Sequence, residues 1–411
     1  MPRSPSSPAF WRSPLRGPWF TSVLGVVLLV GITVLFVTGL VSYAAYNPDL
    51  SPVNDQTPDK GLLGFYLFSW PTHPSWLYRL TQGVHVTLGI ALIPVLLAKL
   101  WSVVPKLFAL PPARSLAHAL ERLSLLLLVG GGLFEFTTGV LNVQLDYIFP
   151  GSFYPLHFYG AWVFFAAFLA HAVLKTPLAL RNLRHLRDEQ PSREGELVSP
   201  NPAEPTVSRR GALGVVGGGS LLLLATTAGR SFDGPLRETA VLAPHGGPEP
   251  GGGPGGFQIN KTAAYAGISP TETGEEAWRL VVTGRAGRSV RLDRPQLLQL
   301  ALHSSALPIA CVEGWSTSDQ WWRGVRLRDL AALVGHDDPV DVLVESLQRH
   351  GAFRRAALRA NQVADPRSLL ALFVNGEDLT PDHGYPARVI VPAAPGVLNT
   401  KWVARMTFGD L

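Results

Sequence analysis

What most constrains this chain is a set of long apolar runs confined to its first half. Residues 19–43 carry no charge, and comparable stretches follow at 83–104, 123–141 and 153–174, with a weaker one at 211–229. About 20 apolar residues in a helix match the ~30 Å hydrocarbon core of a bilayer. Inside lipid, a helix is how a single run satisfies its own backbone. The first run is too long, and lacks the cleavage site, for a secretory signal. The runs therefore predict an all-α transmembrane bundle of four antiparallel helices over 19–174, plus a fifth span at 211–229. Hydrophobic residues make up 47% and charged residues 16%, and the apolar excess sits in these runs. The net charge of +5 comes from basic residues beside them, as membrane orientation requires, and no nucleic-acid motif accompanies it.

Charge placement predicts the topology. Arg3, Arg12 and Arg16 lie in a tail over 1–18, Lys106 and Arg114 between the second and third runs, and Lys175, Arg181, Arg184 and Arg187 after the fourth. Asp49, Asp55 and Asp59 follow the first run. By the positive-inside rule the tail, the loop near 105–117 and a linker over 175–210 are cytoplasmic. Ser208-Arg209-Arg210-Gly211-Ala212-Leu213 looks like a twin-arginine export signal placed internally, with Ala212 where an aromatic usually stands. An arginine pair flanking an ordinary helix is the alternative reading. In both, residues after Arg230 lie on the extracytoplasmic side. A Pro/Gly-rich linker, 230–256, leads to a domain over 257–411 that mixes strands (278–283, 307–312, 340–346, 389–391) with helices (294–302, 327–334), an α+β pattern.

That domain holds Cys311, the single cysteine of 411 residues, in Pro308-Ile309-Ala310-Cys311-Val312-Glu313-Gly314-Trp315-Ser316. Alone, it forms no internal disulfide and is either an inert thiol or a working thiolate. Downstream come His383-Gly384-Tyr385-Pro386-Ala387-Arg388 and Asn399-Thr400-Lys401-Trp402. Together these stretches resemble the molybdopterin-binding domain of the sulfite oxidase family, from about Asn260 onward. The resemblance implies that Cys311 ligates molybdenum, for which a soft sulfur is apt. It implies further that Asn260, Ala263, Ala264, Ser346, His383, Arg388, Asn399, Thr400 and Lys401 hold the organic cofactor, Mo-molybdopterin. Arg suits its phosphate through bidentate bonds. Trp315 and Arg323, on a loop predicted after Cys311, are expected to face substrate. The run Cys-Val-Glu-Gly-Trp-Ser is closer to bacterial methionine sulfoxide reductase catalytic subunits than to sulfite oxidases of animals and plants.

Four histidines fall near the ends of the apolar runs: His85 and His157 toward the outer face, His118 and His171 toward the inner. His157 and His171 are separated by ~21 Å along a helix and by ~40° around it, so one helix could present two ligands. Neutral imidazole is a good axial ligand for haem iron, and ionisable groups in a bilayer are costly. His85-Val-Thr-Leu-Gly89 and His157-Phe-Tyr-Gly160 resemble the cytochrome b subunits of hydrogenases and formate dehydrogenases. That likeness implies one or two b-type haems and electron exchange with membrane quinone. Glu135 in the third run either handles protons or snorkels to the interface. The expected function is oxygen-atom transfer on a small S-oxide or oxyanion. Two alternatives stay open: helices serving only as an anchor with a soluble redox partner, and a metal-free binding module.

Overall fold

A computed structural model describes residues 4–50, 53–54, 67–108, 110, 115–143, 153–184, 199, 201–232, 234–242, 253–349 and 353–411. Asp55, Asp59, Arg114, Arg187 and residues 233 and 243–252 of the 230–256 linker lie outside them. The layout is a helical N-terminal region followed by a mixed α and β domain. The chain divides into two units, one of residues 1–37 with 86–225, the other of residues 38–85 with 226–411.

The helical region carries α1 (Pro18–Ala44), α2 (Leu77–Leu107), α3 (Leu116–Leu141), α4 (Tyr154–Arg184) and α5 (Arg209–Ala225). Among the described residues, five helices are long and apolar enough to cross a membrane. Pro18 opens α1, where its missing N–H is no loss, and Ser115 caps α3 by accepting from the His118 N–H at 3.2 Å. Every fourth residue of α1, namely Phe20, Leu24, Leu28 and Ile32, is buried against Leu92, Val95 and Leu96 of α2 and Phe164 and Phe168 of α4. A methyl on Gly31 would lie 2.5 Å from Leu92 Cδ1, so the absent side chain sets how closely α1 and α2 pack. The opposite faces expose Val30 (61%), Leu126 (61%), Leu174 (73%) and Val215 (74%). Water does not favour so broad an apolar exterior, whereas lipid does.

Helix boundaries depart from the hydropathy reading at polar ends. α2 begins at Leu77, six residues before the apolar run, and α4 continues to Arg184 with Lys175 and Arg181 inside it. Lys and Arg are good helix formers, so the backbone stays helical past the apolar stretch. His118 therefore sits in the first turn of α3, not before it, and His171 in the middle of α4, not at its close.

The C-terminal domain contains two sheets. The first has strands β1 (Leu280–Thr283), β2 (Ser289–Leu292), β5 (Val342–Ser346), β6 (Arg355–Leu358) and β10 (Val403–Phe408), in the order β2-β1-β10-β5-β6. The second has β3 (Leu302–Leu307), β4 (Gln320–Arg326), β7 (Leu369–Val374) and β8 (Glu377–Asp378) in that order, with β9 (Arg388–Ile390) also paired to β7. Only β1 and β10 pair in parallel among these strands. Short helices α6 (Pro270–Thr273), α7 (Arg294–Leu298), α8 (Leu327–Leu333) and α9 (Ala360–Ala364) connect them. Alternation puts Leu280 and Val282 of β1, Val342 and Val344 of β5, and Met406 of β10 into one core with Leu327 and Leu330 of α8.

Two expectations of the sequence are corrected. The strand expected over 307–312 ends at Leu307, and Ala310 makes only single bridges to Ser316 and Pro395. Cys311 is thus delivered by a turn. The helix expected over 294–302 stops at Leu298, because 302 onward is taken by β3.

Residues 38–85 join the second unit through side chains. Asn47 donates to Ala357 O (3.0 Å) and Gln362 Oε1 (2.9 Å), while Asn54 accepts from the Ala357 N–H. Ala357 lies on β6, the outermost strand of its sheet, so two asparagines satisfy an edge that lacks a strand partner. Asp49 pairs with Arg359, and buried Trp70 donates to Ala393 O at 2.7 Å.

Candidate functional site

The turn after β8 and the strand β9 build a buried cluster of cations. Thr380 caps a 3-10 turn over Pro381–His383, and Gly384 continues it at φ 109°, a region glycine enters without strain. A methyl there would lie 3.1 Å from both Arg388 Cβ and Lys401 Cβ, so the glycine lets the two cationic side chains pass it. Arg388 donates to His383 O (3.1 Å) and Asn399 O (3.2 Å), and lies 5.2 Å over the Trp322 ring. Lys401 donates to Lys261 O and to Asp382 O (2.9 Å) and rests 4.8 Å from the Trp402 ring. Ser346, at the end of β5, donates to Lys401 O at 2.8 Å. His383 stacks on Phe257 with ring centroids 3.8 Å apart, and its Nε2 lies 3.0 Å from Gly255 O. A carbonyl only accepts, so that nitrogen carries the proton.

The run after Phe257 closes the cluster. Ala263 donates its N–H to Asp382 Oδ1 at 2.7 Å, while Asn260 and Ala264 lie exposed beside it. Cys311 is joined to the same region through its neighbours. Gly396 N–H donates to Ala310 O at 2.7 Å, and the short turn Gly396–Leu398 leads directly to Asn399, Thr400 and Lys401. The structure therefore gathers Ala263, Ser346, His383, Arg388, Asn399, Thr400 and Lys401 around one set of backbone links, with Cys311 at its border.

Electrostatics distinguish this cluster from ordinary packing. Burial, then the charges of Arg388 and Lys401, push His383 down to about 4. Burial lowers Arg388 to about 9. Lys401 falls well below the usual lysine range through burial and then the charges of Arg388 and Lys261. Asp382 opposes the shifts of His383 and Lys401, joined at Lys401 by Cys311. Such a site holds too much positive charge for the carboxylates it contains. It also leaves donors idle: Arg388 Nε, Asn399 Nδ2 and Thr400 Oγ1 are buried without a hydrogen-bond partner. Buried polar groups are seldom left so. An anionic group rich in acceptors, such as the pterin phosphate, fits both features.

Cys311 itself is 4% exposed. Burial and the Glu313 carboxylate raise its thiol well above the ordinary value, while the N–H groups of Glu313 and Val312 and the Arg230 charge act the other way. Its N–H donates to Trp315 O at 2.8 Å and Gly314 N–H returns a bond to Cys311 O at 3.1 Å. This closed turn fixes the thiol's direction. A soft metal cation is the partner that brings such a thiol to its thiolate form.

The substrate-facing expectation is corrected in part. Residues 320–326 form strand β4, not a loop, and side chains alternate across it. Trp322 is fully buried beneath Arg388, so Trp321 (56% exposed) and Arg323 face the other side, where Arg323 lies 5.8 Å over the Phe373 ring. Trp315 is buried and donates to Glu313 Oε2 at 2.9 Å, which makes it a brace for the cysteine turn.

In the helices, His157 Nδ1 lies 2.9 Å from Thr138 Oγ1 and 3.1 Å from Glu135 Oε2. In the other unit, His85 Nδ1 lies 3.3 Å from Thr38 Oγ1. Each threonine is followed by a glycine, Gly139 or Gly39, whose added methyl would lie 3.4 Å or 3.0 Å from the imidazole Cε1. The same Thr-Gly seat under a histidine thus occurs twice. Sequence reasoning named the histidines but missed the seats. The signal available was the repeated Thr-Gly, at 38–39 and 138–139. His118 and His171 are half-buried on α3 and α4. Among the described residues no group of three or more His, Cys, Asp or Glu side chains forms a metal cage.

Residues 266–410 match the family model described as "Oxidoreductase molybdopterin binding domain". The chain is 30% identical over 131 residues to "Uncharacterized oxidoreductase YuiH" of Bacillus subtilis (strain 168), covering 32% of this chain and 65% of that one. It is 31% identical over 156 residues to "Sulfite oxidase, mitochondrial" of Mus musculus, covering 32% and 29%. Over 151 residues it is 31% identical to "Protein-methionine-sulfoxide reductase catalytic subunit MsrP" of Gluconobacter oxydans (strain 621H), covering 32% and 47%. In each case it spans less than two thirds of the relative's own length. The C-terminal domain is an oxidoreductase molybdopterin-binding domain.

Proposed function

We propose that the chain is a multi-pass membrane oxidoreductase that binds Mo-molybdopterin in its C-terminal domain, held on the extracytoplasmic side. It transfers an oxygen atom to or from a small S-oxide or oxyanion and exchanges electrons with membrane quinone through b-type haem. One observation carries the first part: a buried cation cluster whose idle donors belong to the residues that the resemblance assigns to the cofactor. Cys311 supplies the thiolate for molybdenum. Arg388 and Lys401 hold the phosphate, Asn399 and Thr400 supply the remaining donors, and Ser346 positions Lys401 through its carbonyl. Asn260, Ala263 and Ala264 lie along the cofactor's flank. When bound, the cofactor supplies the two-electron chemistry, and the protein's share is to orient it and shape the pocket. Arg323 drops out of the substrate site because it faces away from Arg388.

The haem part is supported by the repeated Thr-Gly seat. A partner on Nδ1 fixes the imidazole ring for a metal on Nε2, the usual way an outer group orients a histidine ligand. His85, His157, His118 and His171 are the ligands proposed for one or two haems. The rival is an anchor without haem, served by a soluble electron donor.

The test is the purified holoprotein in detergent. Molybdenum near one atom per chain, a Soret band lost in His157→Ala, and turnover of methionine sulfoxide or sulfite with a redox dye are expected. Stoichiometric molybdenum without a Soret band would select the rival, and absence of molybdenum would sink the proposal.

A further inference from the structure

The turn that carries Cys311 is held mainly from outside the matched domain. Gln82, in the second turn of α2, donates its side chain to Val312 O. Arg230 donates to Glu313 O, and Ser231 Oγ donates to Gly314 O. Arg237 donates to Ser316 O at 3.0 Å. In return Ser316 N–H donates to Arg230 O and Ser316 Oγ to Ser231 O, both at 2.8 Å. The carbonyls of Val312, Glu313, Gly314 and Ser316 are thus taken by residues that precede position 266. Gly83 shows how close the approach is: a methyl there would fall 2.7 Å from Ser231 Cβ.

Arg230 is the centre of this grip. Its side chain is fully buried, yet Nε and Nη1 have no hydrogen-bond partner. A guanidinium stays charged, and its bond to Glu313 O holds that charge two residues from Cys311.

We propose that Gln82, Arg230 and Ser231 are positioning residues for the metal thiolate, fixing the Cys311 turn and placing one positive charge beside it. The metal-binding turn of the C-terminal domain is then completed by residues at the start of α2 and just beyond α5. Reduction of the bound metal adds negative charge, and a buried cation favours it. The grip should therefore set both how securely Cys311 is enclosed and at what potential the site is reduced. This rests on the molybdenum reading above for its second half only.

The test has two arms on the full-length protein. In protein made without molybdate, maleimide labels Cys311, the chain's only thiol. Labelling should be at least tenfold faster in Ser231→Ala/Gln82→Leu than in wild type, with circular dichroism unchanged. In loaded protein, Mo(V) EPR titration should place the Arg230→Gln couple lower by about 59 mV, a tenfold change in a one-electron equilibrium. Arg230→Lys should restore it. Equal labelling in the double variant overturns the enclosure, and an unmoved potential in Arg230→Gln overturns the charge. If Arg230→Gln fails to load molybdenum while wild type loads, positioning is supported. If wild type itself carries none, the molybdenum reading falls and the labelling arm still decides the grip.

Discussion

Substituting His383 isolates the electrostatic strain of the cation cluster. His383 is buried, and its neutral ring donates Nε2–H to Gly255 O. Burial and the charges of Arg388 and Lys401 hold it down to about 4 in the folded protein. In the unfolded chain it returns to about 6.5. The unfolded state then binds more protons than the folded state between these values, so stability is present above about pH 6.5 and is lost as pH falls toward 4. Linkage gives a loss of about 2 kcal/mol between about pH 7.5 and about pH 5 from this one group, and about 3 kcal/mol at the acid limit. Guanidinium denaturation of the cofactor-free protein, followed by tryptophan fluorescence at the two pH values, measures it. His383→Gln keeps a donor for Gly255 O but does not titrate, so its stability should fall by about 2 kcal/mol less over the same range. An equal fall in both proteins would refute the account. Loading the cofactor should reduce the wild-type slope, because an anion beside Arg388 and Lys401 cancels the repulsion that depresses His383.

Cys311→Ser should keep the fold, since the side chains are nearly equal in size, and should lower molybdenum content by tenfold or more when measured by plasma mass spectrometry. Lys401→Met removes one charged donor while keeping the stem over Trp402; at about 1.5–3 kcal/mol for a charged hydrogen bond, cofactor retention on dialysis should fall ~10–100-fold. Asn47, at φ 51° with two side-chain bonds to the domain, should be costly to lose. Asn47→Ala should destabilise by about 1 kcal/mol more than Asn47→Gly, because alanine adds left-handed strain that glycine does not. Equal losses in thermal unfolding of the two variants would contradict that.

What could be read from the chain in advance followed the range of the physics involved. Apolar runs are local, so five helices were legible, with errors where Leu77–Gln82, Leu116–Arg122 and Lys175–Arg184 continue a helix beyond the apolar stretch and where α5 stops at Ala225. The residues of the cation cluster were legible through the resemblance that His383-Gly384-Tyr385-Pro386-Ala387-Arg388 and Asn399-Thr400-Lys401-Trp402 carry. The alternation that turns Arg323 away from Trp322 was missed because the segment was taken for a loop. Gln82, Arg230 and Ser231 were invisible for a different reason. Nothing within a few residues of them hints that they meet a turn 83 or 230 positions away. Asn47 and Asn54, which bond to Ala357 of β6, escaped notice in the same way.

Those asparagines bear on how the molecule can be cut. Ala357 meets Asn47 across 310 positions of sequence. A recombinant fragment that starts after α5 would leave the N–H and C=O of Ala357 bare, inviting strand exchange between copies. Such a fragment should self-associate in solution unless a peptide spanning 46–54 is supplied in trans to blunt its border.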